Sequence, residues 1–397
     1  MKICIINNLY PPYTRGGAEQ VVVKTVEGLV SAGHSVVVIT TAPNGITKEE
    51  NGSVKIYRYS PANLFFYTEA NRHGVLARLV WHLIDMFHVP SMSYVEGILK
   101  AEKPDVVHTH NLMGMSFLVP RMIRRLGIRH VHTVHDVQLV EPSGIIQKSK
   151  ENSWRYCGFP VRIYSRIMRF LVGSPNVVIS PSQFLLNFYE SRGFFKNSKR
   201  VVLRNPVTSE VRSIKKENHD ALHFLYLGQV EGHKGVLFLV KTFLHFLQNL
   251  SGPEKKPILH IAGSGSELGR VKQLTTNNKQ FVIHGKLDRS ALPALFATSD
   301  VTVVPSLCYE NSPTVIFESF SFGVPVLASN VEGIAELIQE GENGLTFTTE
   351  NESSLLQKLE WCFEHQKELT QMSLKTRLSL VGLSVGEYVG KLLNLYL

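Results

Sequence analysis

Short β-branched runs that alternate with longer stretches of helical apolar period constrain this 397-residue chain more than any other feature. Lys2–Asn7 reads as a buried strand, Ala18–Ser31 as a helix with apolar positions at Val22, Val26, Leu29 and Val30, and Ser35–Thr40 as a second strand. That order is a βαβ unit, which needs a parallel sheet with helices on its faces. Further strands are expected at 104–108, 129–134, 176–180 and 200–203. The rhythm then restarts: Leu222–Leu227, Pro257–Ala262, Phe281–His284, Val301–Val304 and Val326–Ala328 are strands, with helices beginning near Lys234, Ser264, Asp288, Ser312 and Glu332. A chain of this length exceeds one ordinary core. The reading is therefore α/β, with two doubly wound, Rossmann-like parallel-sheet domains facing across a cleft, residues 1–205 and 206–384. Arg204–Val207 and the polar run Ser209–Asp220 are the expected linker, and an amphipathic helix at 385–397 can pack back on the first domain.

Composition narrows the partners. Hydrophobic residues make up 44% and charged residues 19%, which is globular and neither disordered nor disulfide-stapled. The amino-terminal apolar run is cut by Asn7 and Asn8 and reads as a strand rather than an export signal, so a cytoplasmic location is expected, at the inner face of a membrane if a lipid surface is engaged. The apolar stretch 75–99 is broken by Arg78, His82, Asp85 and His88, too often for a membrane span. Four widely spaced cysteines, at 4, 157, 308 and 362, fit neither a zinc site nor a disulfide framework. Charge is unevenly shared: residues 1–205 hold 25 Lys and Arg against 13 Asp and Glu, and residues 206–397 hold 17 against 20. A basic first half attracts anions, and no nucleic-acid-reading motif accompanies it. Arg155, Arg162, Arg166 and Arg169 recur among Phe159, Ile163, Met168 and Phe170, and with Arg121, Arg124, Arg125 and Arg129 they make an anionic membrane surface a candidate partner beside the plain alternative of a solvated helix face.

Two turns carry chemistry. Gly16 and Gly17 lie between the first strand and the first helix, where paired glycines permit positive φ and expose N–H groups to a phosphate; Glu19 follows on the acceptor side. The pattern is not the dinucleotide fingerprint, which disfavours an oxidoreductase. In Glu310-Asn311-Ser312-Pro313-Thr314, Ser312 is expected as N-cap and Pro313 as the first helical residue, aiming amides at an anion, with Glu310 and Glu318 placed to meet a sugar and ribose hydroxyls. His135 and Asp136 end one strand and His110 ends another, so all three are site candidates. His108, His110, His130 and His132 cluster on strands without acidic or cysteine ligands at metal spacing, so no metal site is expected.

YPPYTRGGAE near the start, HTVHD at 132–136, GQVEGHKG at 228–235, IAGSGSE at 261–267, ENSPTVIFE at 310–318 and FGVPVLASNVEGIAELIQEGENGLTF at 322–347 together resemble family 4 glycosyltransferases, retaining enzymes of the GT-B fold. The similarity runs in order along nearly the whole chain. It implies a nucleotide-diphosphate-sugar donor and an acceptor hydroxyl, with Gly16-Gly17 near the diphosphate, Glu310 on the donor sugar, Glu318 on the ribose, and amides of Asn311, Ser312, Pro313 and Thr314 around phosphate and sugar. It further implies Lys234 on the diphosphate, His135 facing the sugar, and Gly263, Gly265 and Gly285 bordering the nucleotide. No cofactor or essential metal is expected, because a lysine and helix dipoles replace the cation. The acceptor implied is a lipid-linked saccharide or one of a surface polysaccharide. One departure stands out: many relatives carry Arg where this chain has Gln229, which can donate hydrogen bonds but has no charge. Two other readings share the same donor motifs, a nucleotide-sugar epimerase and a noncatalytic sugar-nucleotide-binding protein.

Overall fold

A computed structural model describes residues 1–207, 220–250 and 256–397; of the expected linker, residues 209–219 lie outside the described residues. The chain divides into two compact units, Met1–Gly144 with Ser153–Pro206 and Leu383–Leu397, and Ile145–Asn152 with Val207–Gly382.

The first unit holds an eight-stranded sheet made of β1 (Lys2–Ile6), β2 (Ser35–Thr41), β3 (Ile46–Asn51), β4 (Val54–Tyr59), β5 (Val106–Thr109), β6 (Arg129–Thr133), β7 (Val177–Ser180) and β8 (Lys199–Val202), in the order β3-β4-β2-β1-β5-β6-β7-β8. Every neighbouring pair is parallel except β3–β4. The chain runs outward from β1 and returns to β5 on its other side, so the winding reverses between β1 and β5. Crevices at such reversals, beyond the carboxyl ends of the strands, are where ligands bind in doubly wound sheets. β1, β2 and β5 to β7 are almost wholly buried, which is why they read as unbroken apolar runs. The β3–β4 hairpin was not expected; Ile46–Asn51 is exposed throughout and carries Lys48, Glu49 and Glu50, charges that protect an open sheet edge and erase the apolar signal.

The last helix, Val385–Tyr396, belongs to this unit, where Tyr388, Val389, Leu392, Leu395 and Tyr396 join the core of Val22, Val26 and Leu29. Gly28 marks the closest approach, since a Cβ there would stand 2.6 Å from Val385 Cγ1.

The second unit contains β9 (His223–Leu227), β10 (Ile258–Ala262), β11 (Phe281–Gly285), β12 (Val301–Val304), β13 (Val326–Ser329) and β14 (Gly344–Phe347), all parallel, in the order β11-β10-β9-β12-β13-β14. Its winding reverses between β9 and β12. Ile145–Asn152, expected within the first domain, packs here as a strap: Gln147 bridges Cys308, Lys148 N–H donates to Leu307 O at 2.9 Å, and Tyr309 N–H to Ile146 O at 2.8 Å. Backbone pairing outweighs sequence proximity in placing this segment. No described helix is long and apolar enough to cross a membrane.

Candidate active site

In the second unit the reversal point collects the expected donor residues. Beyond β9 the chain turns through Gly228 and Gln229, where Tyr226 OH donates to Gln229 O at 2.5 Å, then makes a 3-10 turn at Gly232–Lys234 before the helix Val236–Asn249. Gly235 joins the two with φ +76°, and a Cβ there would lie 1.8 Å from Pro305 O, so only glycine lets this turn sit against the loop after β12. Beyond β12, that loop runs from Pro305 to Pro313. Lys234 Nζ donates to Glu310 Oε1 at 2.5 Å, and Ser306 Oγ donates to the same oxygen at 3.0 Å. Burial pushes the Lys234 ammonium toward neutrality, but the charge of Glu310, with a smaller contribution from Cys308 and the hydrogen bond to Glu310, more than reverses this and lifts its pKa above the usual lysine value. Lys234 is therefore a cation held at the reversal point by a carboxylate.

The helix after the loop is Thr314–Ser321. Ser312 does not cap it, contrary to expectation: Pro313 stands at the N-cap with ψ 124°, no side chain closes the cap, and the helix starts one residue later. Pro313 itself is extended, so helical backbone begins only at Thr314 and Ser312 stays one residue too far back to cap it. Ile316 N–H turns back onto Pro313 O at 3.2 Å, so the amides of Thr314 and Val315 are the ones that head the helix toward an anion. Glu318 lies within this helix, where its Oε1 pairs with Arg289 at 2.7 Å, a partner the sequence reading missed. The loop is braced from behind. Gly333 N–H donates to Glu310 O at 3.1 Å, Tyr309 OH donates to Glu151 at 2.6 Å, and Lys148 pairs with Glu332. Gly263 and Gly265 pack on the β9 turn: a Cβ on Gly263 (φ +144°) would meet Gly228 O at 1.8 Å, and one on Gly265 would meet Val230 O at 2.3 Å. Gly285, also at positive φ, ends β11 in open space.

In the first unit the reversal point is stapled by asparagines: Asn7 Oδ1 accepts from Asn111 N–H at 3.1 Å and Asn8 Nδ2 donates to Met113 O at 3.0 Å. Gly16 and Gly17 do not use the positive φ expected of them. Gly16 is extended (φ −157°) and Gly17 opens the helix Gly17–Ser31, so their small size, rather than a left-handed turn, leaves that end open. Buried Glu19 accepts from Gly16 N–H at 2.7 Å, and Gly16, having no side chain, cannot return a cap.

His135 follows β6, with its Nε2 2.9 Å from Nδ1 of His110, which follows β5. Burial holds His135 down to about 4 and His110 far below the usual histidine value, so both are neutral near pH 7. Among the described residues, Nε2 of His110 is buried without a hydrogen-bond partner. Asp136 is pushed up to about 6 by burial, against the Gln138 N–H that its Oδ1 accepts at 2.8 Å and with help from the charge of Glu19. The remaining strand histidines meet hydroxyls: His108 bonds Thr133 Oγ1 and Tyr396 OH, each at 2.7 Å, while His130 and His132 share Thr109 Oγ1, each at 2.8 Å.

Two parallel-sheet units, each with its candidate residues at the winding reversal, are the architecture of GT-B glycosyltransferases, and the family matches make this chain one of them. The chain belongs to the family 4 type: residues 15–211 match the family described as Glycosyltransferase Family 4, and residues 207–378 that described as Glycosyl transferases group 1. A protein of the cps region of Klebsiella pneumoniae is 27% identical over 85% of this chain and 87% of its own. The Escherichia coli UDP-Gal:alpha-D-GlcNAc-diphosphoundecaprenol alpha-1,3-galactosyltransferase is 22% identical over 88% of this chain and 87% of its own. Among solved structures, Anabaena HepE in complex with UDP and glucose shares the fold with a TM-score of 0.69 at 16% identity, over 99% of this chain and 98% of that one.

Proposed function

We propose that this glycosyltransferase moves a hexose from a nucleotide-diphosphate sugar to a hydroxyl of a lipid-linked or surface-polysaccharide saccharide, with retention at the anomeric carbon. The observation that carries the donor assignment is the Lys234–Glu310 pair at the β9/β12 reversal, beside the uncapped amides at Thr314. The donor diphosphate takes the place of Glu310 on Lys234, and Glu310 turns to the sugar hydroxyls. Glu318 meets the ribose, and the turns at Gly263, Gly265 and Gly285 border the base. The bond from the anomeric carbon to the β-phosphate oxygen breaks, the acceptor oxygen bonds that carbon from the same face, and the acceptor proton passes to the departing phosphate. Lys234 and the helix amides stabilise the charge that gathers on the leaving group, a role worth several kcal/mol in comparable sites. The reaction therefore runs without a divalent cation, and activity persists in a chelator. Neutral His135 exchanges hydrogen bonds with a sugar hydroxyl, Gly16 and Gly17 approach the donor diphosphate, and Glu19, His110 and Asp136 serve the acceptor side. The acceptor class draws on the basic first half and on the names of the two relatives.

A thermal-shift screen of nucleotide diphosphates and their sugars, followed by NMR of the product's anomeric proton, tests the reading. Stabilisation by one nucleotide sugar and a glycoside with the donor's configuration support it. Inverted product, free rearranged nucleotide sugar, or donor binding without turnover across many acceptors would each replace it, the last two with an epimerase and a binding protein.

A further inference from the structure

The first unit presents an apolar face to solvent where a helix would ordinarily turn polar. In Val75–Met86, Trp81, Asp85 and Met86 point inward, while Leu76, Leu79, Val80 and Leu83, spaced along one helical face, are 40–76% exposed. A second helix, Phe159–Val172, leaves Phe159 72% and Phe170 65% exposed, with Ile163 between them. The two patches are linked through the helices beside them: Met92 and Arg121 line one cavity of about 500 Å³, and the Arg121 guanidinium stands 5.0 Å from the Phe170 ring centroid.

Charge says what covers this face. No Asp or Glu occurs between Val106 and His135 or between Asn152 and Tyr189. Arg162, Arg166 and Arg169 follow one another at helical spacing beside the exposed phenylalanines. Among the described residues, neither these three nor Arg121 meets a carboxylate. Arg162, Arg166 and Arg169 line an open cavity of about 690 Å³ together with Tyr156, Phe159 and Ile163. Guanidinium groups beside exposed aromatic and aliphatic side chains suit a headgroup phosphate above acyl chains; a water-soluble anion would leave the apolar face uncovered, and an apolar protein surface would leave the arginines unpaired.

We propose that this face of the first unit docks on an anionic phospholipid bilayer, with Leu76, Leu79, Val80, Leu83, Phe159 and Phe170 entering the interface and the arginine-lined cavity seating a lipid phosphate. The test is flotation of the full chain with vesicles of phosphatidylcholine alone and of phosphatidylcholine with phosphatidylglycerol. The chain floats with the anionic vesicles and not the neutral ones, and added salt releases it. The double variant Arg162→Gln/Arg166→Gln lowers partitioning roughly 30-fold, since each surface cation near such a membrane contributes about 1 kcal/mol. Leu79→Ser/Leu83→Ser lowers it as well, and both variants keep their melting temperature because the replaced side chains are exposed. Lys272→Gln on the second unit leaves partitioning unchanged. The proposal is overturned by equal partitioning into both vesicle types, by flotation that both variants retain, by release with soluble glycerol phosphate at constant ionic strength, or by a dimer in solution that Leu79→Ser/Leu83→Ser dissolves.

Discussion

Two side chains set the expected behaviour at the residue scale. Lys234 is the cation at the β9/β12 reversal, and in the proposed reaction its removal acts on both the leaving group and Glu310, which is only 12% exposed and keeps Ser306 but loses its cationic partner. Lys234→Ala is expected to lower kcat by about 10²- to 10³-fold, the usual loss when one donor to a developing anion is deleted, and to abolish the thermal shift given by the nucleotide sugar. Unchanged kcat would remove Lys234 from the mechanism. In the proposed site His110 acts through His135. A leucine in its place deletes the hydrogen bond to His135 Nε2, while asparagine returns a side-chain amide near the position of Nδ1. His110→Leu should therefore lower kcat about 10-fold, near the worth of one hydrogen bond, with KM little changed, and His110→Asn should recover most of the loss. Equal loss in both variants would reduce His110 to a packing residue.

Elements explain both what the sequence showed and what it hid. Strands buried on both faces, such as Ser35–Thr41 and Val301–Val304, were legible because they are rich in β-branched residues and no charge interrupts them, and every strand placed from the sequence lies within a residue or two of its observed position. The β3–β4 hairpin was illegible because its outer strand is all exposed, and Gly344–Phe347 because Gly344 and Thr346 leave it only two apolar side chains. The 145–152 strap had no local signal, since its partners lie some 160 residues onward at Leu307–Tyr309. Site residues were legible where glycine and proline mark strand ends; Arg289 and Ser306 were not, because their roles come from neighbours that only folding supplies. Glycines that look alike in the sequence now separate. Gly263→Ala puts a Cβ into Gly228 O at positive φ, with backbone on both sides of the clash, and should cost at least about 2 kcal/mol along with nucleotide affinity. Gly285→Ala has the positive φ without the clash and should cost about 1 kcal/mol. Urea unfolding of the two variants checks the order, and a Gly285→Ala loss as large as that of Gly263→Ala would mean that contact at the β9 turn decides nothing.

For the whole molecule, the first unit's core gathers five histidines, His108, His110, His130, His132 and His135, all held below their ordinary pKa, chiefly by burial. An unfolded histidine binds its proton near 6.5, whereas these remain neutral in the fold, His135 down to about 4 and His132 to about 3. As pH falls below about 6.5 the unfolded chain takes up protons that the folded chain refuses, so the stability these groups supply is full above that value and is lost on the way down toward 4. Each contributes a slope of up to about 1.4 kcal/mol per pH unit. Asp136 works the other way: with its carboxyl pushed up to about 6 from an ordinary 3.8, the fold holds a proton that the unfolded chain has released, and stability falls as pH rises across that window. Asp85, which burial lifts to about 7, acts in the same sense, and two aspartates oppose five histidines, so acid sensitivity wins. Denaturant titrations at pH 7, 6 and 5 should show the unfolding free energy dropping steeply between 7 and 5, with proton uptake in calorimetry of the acid transition. His130→Gln should flatten that slope, because its imidazole, buried beside Thr109 with Nδ1 unpartnered among the described residues, is one of the groups that must charge. A flat profile from pH 7 to 5 would mean that the unfolded chain keeps these rings as dry as the native sheet does.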